Sequence, residues 1–206
     1  MIPVKPLLLG STSQSRQSIL TFGRIPFTLL KQQADETKCD WTVSLRGIVE
    51  SIASYKMEQL IMPEREKGTV EYVLTADTLS SNGRGTICGK PKDEADAIAM
   101  ITLGREGKMK TGTAFCLEKR VSLGNGGWET VERILNYAEG EYIFNVPDEW
   151  VASYLRYSIA YSAASAIGIE SYGNMFLERV EGSYTAIRGL PLYEVRVALQ
   201  QLGYFI

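Results

Sequence analysis

The chain has 206 residues, 22 of them basic and 24 acidic, for a formal net charge of −2. That length holds a sizeable core, and the slight acidic excess argues against a surface that tracks nucleic-acid phosphates or an anionic membrane. Histidine is absent, which excludes Ser-His-Asp and Cys-His nucleophile pairs and every histidine-based zinc site.

Base chemistry must then fall to Asp, Glu, Lys, Tyr or Cys, and a catalytic metal would be a hard cation with oxygen ligands, such as Mg2+ or Mn2+. Cys39, Cys88 and Cys116 share no metal-type spacing, and their odd number suits reduced thiols in a cytosol. The start, Met1-Ile-Pro-Val-Lys-Pro-Leu-Leu-Leu-Gly, has too short an apolar run for a signal peptide. The Ser- and Ala-rich stretch 157–169 is too short to span a bilayer. The expected location is cytoplasmic.

In chain order, Pro6 to Leu9 reads as a short strand, followed by Gly10-Ser11-Thr12-Ser13-Gln14-Ser15-Arg16. A helical stripe of Ile19, Leu20 and Phe22 comes next, closed by Gly23. Small hydroxyl residues between a strand and a helix start form an anion-binding corner; the same residues also fit an ordinary serine cap with a solvated Arg16. Pro26 to Gln32 reads as a strand, and Ala34-Asp35-Glu36-Thr37 as a polar turn. Val43 to Leu60 is an amphipathic helix with Leu45, Ile48, Val49 and Ile52 on one face. Lys56 continues that apolar stripe, so it either snorkels, the commoner outcome, or points into a polar cleft.

Tyr72 to Thr78 reads as a buried strand that delivers the Asp77 carboxylate to its C-terminal tip, where ligands of α/β sheets collect. Asn82-Gly83-Arg84-Gly85 is a turn, Cys88-Gly89-Lys90-Pro91 a corner, and Asp93 the cap of a helix from Glu94 to Leu103 that ends at Gly104. One carboxylate and one ammonium on neighbouring loops suit a metal-bound phosphate, although a capping aspartate and a surface lysine fit the spacing as well. Lys108 to Glu118 is a strand with Thr111 and Thr113, and Trp128 to Tyr137 returns as its partner after a Gly-rich turn. Asp148 caps a helix over 149–157. Tyr161 to Gly173 reads as strand and turn with Glu170 its only charge, and Phe176 to Val180 as a strand. Gly189-Leu190-Pro191-Leu192 opens a final helix that carries Leu192, Val195, Leu199 and Leu202 inward. Without repeats or linkers, this alternation implies a single α/β domain over 1–206 with a mixed sheet.

These pieces together resemble the Maf-like nucleoside triphosphate pyrophosphatase family, also called septum formation inhibitor Maf-like proteins. The family's opening Ala-Ser-x-Ser-Pro-Arg-Arg is matched by 10–16, its acidic loop by Asp35-Glu36-Thr37, and its Ala-x-x-Lys helix by Ala53-Ser54-Tyr55-Lys56. Ala76-Asp77-Thr78, Gly89-Lys90-Pro91, Thr111-Gly112 and Gly189 to Leu192 match the remaining signatures in order. The resemblance implies an elongated mixed sheet with flanking helices, two lobes around a nucleotide cleft, and a homodimer. It implies hydrolysis of a nucleoside triphosphate between the α- and β-phosphates, with a divalent metal (Mg2+, Mn2+ or Co2+). Carried over, Asp77 orients or deprotonates the attacking water, Glu36 joins it as a metal or outer-sphere ligand, and Arg16, Lys56 and Lys90 neutralise the triphosphate. Ser11, Ser13, Ser15, Thr78, Thr111 and Glu170 complete the substrate-binding set.

The chain departs from the family at Gln14 and Ser15, which replace a proline and the first arginine, at Gly107, which stands where a histidine is frequent, and at 162–165, where Asp-Lys-Ala-Gly becomes Ser-Ala-Ala-Ser. The lost cations keep a second reading open, a catalytically weakened nucleotide-binding regulator. Ser15, Thr78 and Glu170 mix the family's two base-selectivity patterns. A carboxylate at Glu170 in apolar surroundings needs donors, and the two adjacent N–H groups of guanine supply them. The expectation is therefore a preference for guanine-type triphosphates, including the 7-methylated form, over UTP and dTTP.

Overall fold

The computed structural model describes residues 5–205. The start at Met1 to Val4, read above as no part of a signal peptide, lies outside the described residues. Among these residues, seven strands form one mixed sheet. Three leucines make β1 (Leu7–Leu9). Leu7 and Leu9 face one core cluster and Leu8 the other side, so the strand is covered on both faces. Ser13 caps α1 (Gln14–Phe22), which buries Ile19 and Leu20. Phe22, expected on that inward stripe, is the last residue of the helix and is 83% exposed. The second strand, β2 (Phe27–Leu29), is shorter than the 26–32 expectation. A 3-10 turn over Glu36–Lys38 follows, capped by Asp35. Ser44 caps α2 (Leu45–Glu58), which sets Ile48, Val49, Ile52, Ala53 and Met57 against the sheet.

β3 (Val70–Ser81) is buried along most of its length. The 82–85 turn joins it to the two-residue β4 (Ile87–Cys88), and Asp93 caps α3 (Glu94–Gly104). A long hairpin, β5 (Met109–Gly124) and β6 (Gly127–Phe144), extends well past its expected ends. Asp148 does not cap the next helix with its side chain; it pairs with Arg105 at 2.5 Å, and α4 (Val151–Tyr157) follows a 3-10 turn. The stretch Tyr161 to Gly173, expected as strand and turn, falls in a chain of three 3-10 turns over 160–176, because Ser165, Ala166 and Ser171 adopt positive φ and break any strand. β7 (Leu177–Gly182) then pairs with β6, followed by the unanticipated short α5 (Tyr184–Ile187) and by α6 (Leu192–Gln201).

The strand order is β2-β1-β3-β5-β6-β7, with β4 beside β3. β1 runs parallel to β2 and β3, and the other pairs are antiparallel. α1 and α6 cover one face around Leu74, Ala76, Phe115 and Leu117, and α2 covers the other around Leu79 and Ala114. A separate cluster of Tyr142, Phe144, Tyr154 and Phe176 packs α3 and α4 at the end where β5 begins and β6 finishes. The core is thus divided along an elongated sheet. β1 accompanies β3 only at Val73 and Leu74, and β4 rejoins its edge only from Ser80. Between them, among the described residues, the edge of β3 from Thr75 to Leu79 has no neighbouring strand.

Candidate active site

Asp77 lies in the middle of β3, at this gap, and not at the strand's tip as the sequence suggested; it pairs across with Ala114. Successive side chains of a strand point to opposite faces, so Asp77 and Thr78 address the two sides of the sheet from neighbouring positions. Toward α2, the Lys56 ammonium sits between two carboxylates, 2.7 Å from Asp77 Oδ1 and 2.8 Å from Glu36 Oε1. Lys56 does not snorkel; its side chain is 9% exposed and Asp77's is 8%. The apolar stripe of α2 carries it inward, and the two carboxylates offset the cost of burying the charge. Burial pushes the Asp77 carboxyl above its ordinary value, opposed by the charges of Lys56 and Arg16. Asp77 Oδ2 is buried and has no hydrogen-bond partner among the described residues.

Toward α1, Arg16 is buried beneath the hydroxyl corner. Its Nε donates to the Gly189 carbonyl at 2.9 Å, one Nη to Ser11 Oγ at 3.1 Å and the other to Thr78 Oγ1 at 3.0 Å. Burial draws its guanidinium below the ordinary value, while the charges of Asp77 and Glu36 pull it back, so the two sides of the gap share one electrostatic field. Thr78 Oγ1 also lies 2.9 Å from Thr113 Oγ1, which in turn donates to the Ala186 carbonyl. Gly189 has φ +113°, a conformation that glycine alone adopts without strain, and this turns its carbonyl onto Arg16.

Ser11, Ser13, Arg16, Glu36, Lys56, Asp77 and Thr78 therefore assemble around the open edge. Ser13 caps α1, leaving the hydroxyl corner at a helix N-terminus. Thr111 lies apart from the gap, buried and bonded to Ser80 at 2.7 Å and to Tyr142 at 3.2 Å. Lys90 is exposed and forms no ion pair or side-chain hydrogen bond among the described residues; its neighbour Gly89 accepts from Ser165 N at 2.8 Å. Glu170 is already supplied with donors: Ser15 Oγ at 2.6 Å on one oxygen and Arg188 Nε at 2.7 Å on the other. The premise that it looks to a guanine for donors is thereby removed. The sequence reading missed Thr113, the Gly189 carbonyl and Arg188. Arg188 directly precedes the Gly-Leu-Pro-Leu motif, and that adjacency was the one signal available.

A buried ion-pair network carrying an unpaired carboxylate oxygen, beside an arginine and a helix N-terminus, can hold an anionic phosphate chain against a polarised water. The family model described as Maf-like protein matches residues 6–202. The chain belongs to the Maf-like family. It is 30% identical over 205 residues to a dTTP/UTP pyrophosphatase of Caldicellulosiruptor bescii, covering 98% of this chain and 96% of the relative. It is also 30% identical over 207 residues to a nucleoside triphosphate pyrophosphatase of Synechococcus sp. (strain JA-3-3Ab), covering 99% and 96%. A nucleoside triphosphate pyrophosphatase of Chlamydia pneumoniae is 28% identical over 198 residues, covering 96% and 94%. Among the described residues, no helix is long and apolar enough to cross a membrane.

Proposed function

We propose that this Maf-like chain hydrolyses nucleoside triphosphates between the α- and β-phosphates, giving a nucleoside monophosphate and pyrophosphate. The observation that carries the reading is Asp77: a buried carboxylate at a sheet gap, one oxygen held by Lys56 and the other unpartnered among the described residues. The names of its relatives support the same reaction class. In this scheme Oδ2 orients the attacking water and takes its proton as the water oxygen bonds to phosphorus. The bridging oxygen then leaves with pyrophosphate, and Arg16, the α1 N-terminus and Lys56 offset the charge that develops. Lys90 would reach the phosphates only after its exposed side chain folds over the gap.

The donor set fits a hard divalent cation. Among the described residues there is no cluster of three or more His, Cys, Asp or Glu, so Asp77 and Glu36 would hold the ion while phosphate oxygens and water complete its shell, the usual arrangement for Mg2+. Bound there, the ion would neutralise phosphate charge as a Lewis acid.

The test is pyrophosphate release from ATP, GTP, CTP, UTP, dTTP and 7-methyl-GTP, with Mg2+, Mn2+ or Co2+ and after EDTA. Release with metal, lost on chelation and restored by the cation, is expected. Undiminished release after thorough chelation would remove the metal from the scheme. Tight nucleotide binding without release from any of the six would instead favour a regulator weakened by the cations missing at Ser15 and Ala163.

A further inference from the structure

Beside the gap, the Glu170–Arg188 pair is a charged contact that the proposed reaction leaves idle. Glu170 is 13% and Arg188 19% exposed at the side chain. Arg188 spends Nε on Glu170 and Nη2 on Ser18 Oγ at 3.3 Å, and its guanidinium lies over the Tyr184 ring at 5.9 Å. Its Nη1 has no hydrogen-bond partner among the described residues. The pair abuts the phosphate-binding corner on both sides: Ser15, bonded to Glu170, is the neighbour of Arg16, and Gly189, which accepts from Arg16, is the neighbour of Arg188.

The Glu170–Arg188 pair carries no net charge, and in the proposed reaction the phosphates are met by Arg16, Lys56 and the α1 N-terminus, so the part of a nucleotide left to reach this pair is its neutral end, the base. A bare carboxylate there would accept both N–H groups on the Watson–Crick edge of guanine and repel the carbonyls of uracil and thymine. Here each oxygen already has a donor and the negative charge has a cation in contact. The spare N–H groups at Arg188 Nη1 offer donors that suit a base carbonyl. Resting on the triphosphate reading, we infer that Arg188 is a specificity-determining residue: it masks Glu170 and turns the base end of the cleft from one that selects guanine into one that accepts the keto pyrimidines, UTP and dTTP.

The test compares UTP with GTP in the full-length protein carrying Arg188→Met, Glu170→Gln, or both. It measures kcat/KM by pyrophosphate release and, separately, the affinities of α,β-methylene-UTP and α,β-methylene-GTP. The wild type is expected to prefer the uracil compounds. Arg188→Met, which exposes the carboxylate, is expected to move the ratio toward guanine by about tenfold or more. On the Glu170→Gln background the same change is expected to leave the ratio where Glu170→Gln alone sets it. If Arg188→Met does not fold, Arg188→Gln carries the test in the same direction, since it keeps a donor but loses the charge. The inference is overturned by a wild type that prefers guanine, by an unchanged ratio in the folded variant, or by an equal shift with and without the carboxylate. Absence of pyrophosphate release throughout would overturn the proposed reaction, and the analogue affinities would still decide the role of Arg188.

Discussion

Lys56 is held between Asp77 and Glu36, and removing it would leave two carboxylates without their shared cation. Lys56→Met is expected to cost about 3 kcal/mol of stability at neutral pH, read from urea unfolding, with a smaller loss in acid where Asp77 takes a proton. Asp77→Asn keeps the shape but removes the base and much of the attraction for a cation. Turnover is expected to fall by about a hundredfold or more with nucleotide binding partly retained; near-normal turnover would move the base to Glu36. The raised Asp77 pKa also leaves a trace in folding. Because the folded state holds the proton more tightly than the unfolded chain, the Asp77 contribution is most favourable below the unfolded value. It is lost as pH rises through the folded one. In EDTA, the urea midpoint of the wild type should therefore decline relative to that of Asp77→Asn across this window; parallel curves would mean that Asp77 is not perturbed.

At the scale of elements, the 160–176 stretch combines strain with constraint. Ser165 and Ala166 stand in left-handed backbone, as does Ser171, and the buried Ser165 Oγ has no hydrogen-bond partner among the described residues. Ser165→Gly removes both penalties and is expected to stabilise by about 1 kcal/mol, seen as a rise in Tm of roughly 2–4 °C. Gly173 is the opposite case: a Cβ there would lie 1.7 Å from the Gly168 carbonyl oxygen, a backbone atom that cannot swing aside. Gly173→Ala is expected to cost about 3 kcal/mol or more, measured by the same melts, because the turns framing Glu170 would have to separate.

For the whole molecule, what was legible in the sequence was what depends on local pattern. The leucine run of β1, the stripe of α2 and the serine and aspartate caps of α1 and α3 read directly, since periodicity and capping are short-range properties. Asp77 and Lys56 could be named singly as candidates for a cleft, but their contact depends on how α2 docks on β3, which no spacing records. The 160–176 turns were illegible because Ser and Ala give no sign of positive φ where glycine would have announced it. Arg188 went unnoticed because its partners, Glu170 and Ser18, lie 18 and 170 residues away.

The placement of Asp77 and Thr78 on opposite faces has a consequence for folding fidelity. A slip of β3 by one residue against β5 would exchange the two faces. Asp77 would turn toward the Phe115 and Leu117 core and Thr78 toward Lys56, while most of the backbone ladder could re-form. Leu74 and Ala76 on one face, with Thr75 and Leu79 on the other, resist that slip by their burial. Such a misregistered molecule would retain its strand content and lose its chemistry. For refolded preparations, activity per folded molecule is thus a direct assay of how faithfully a single pair of strands has found its alignment.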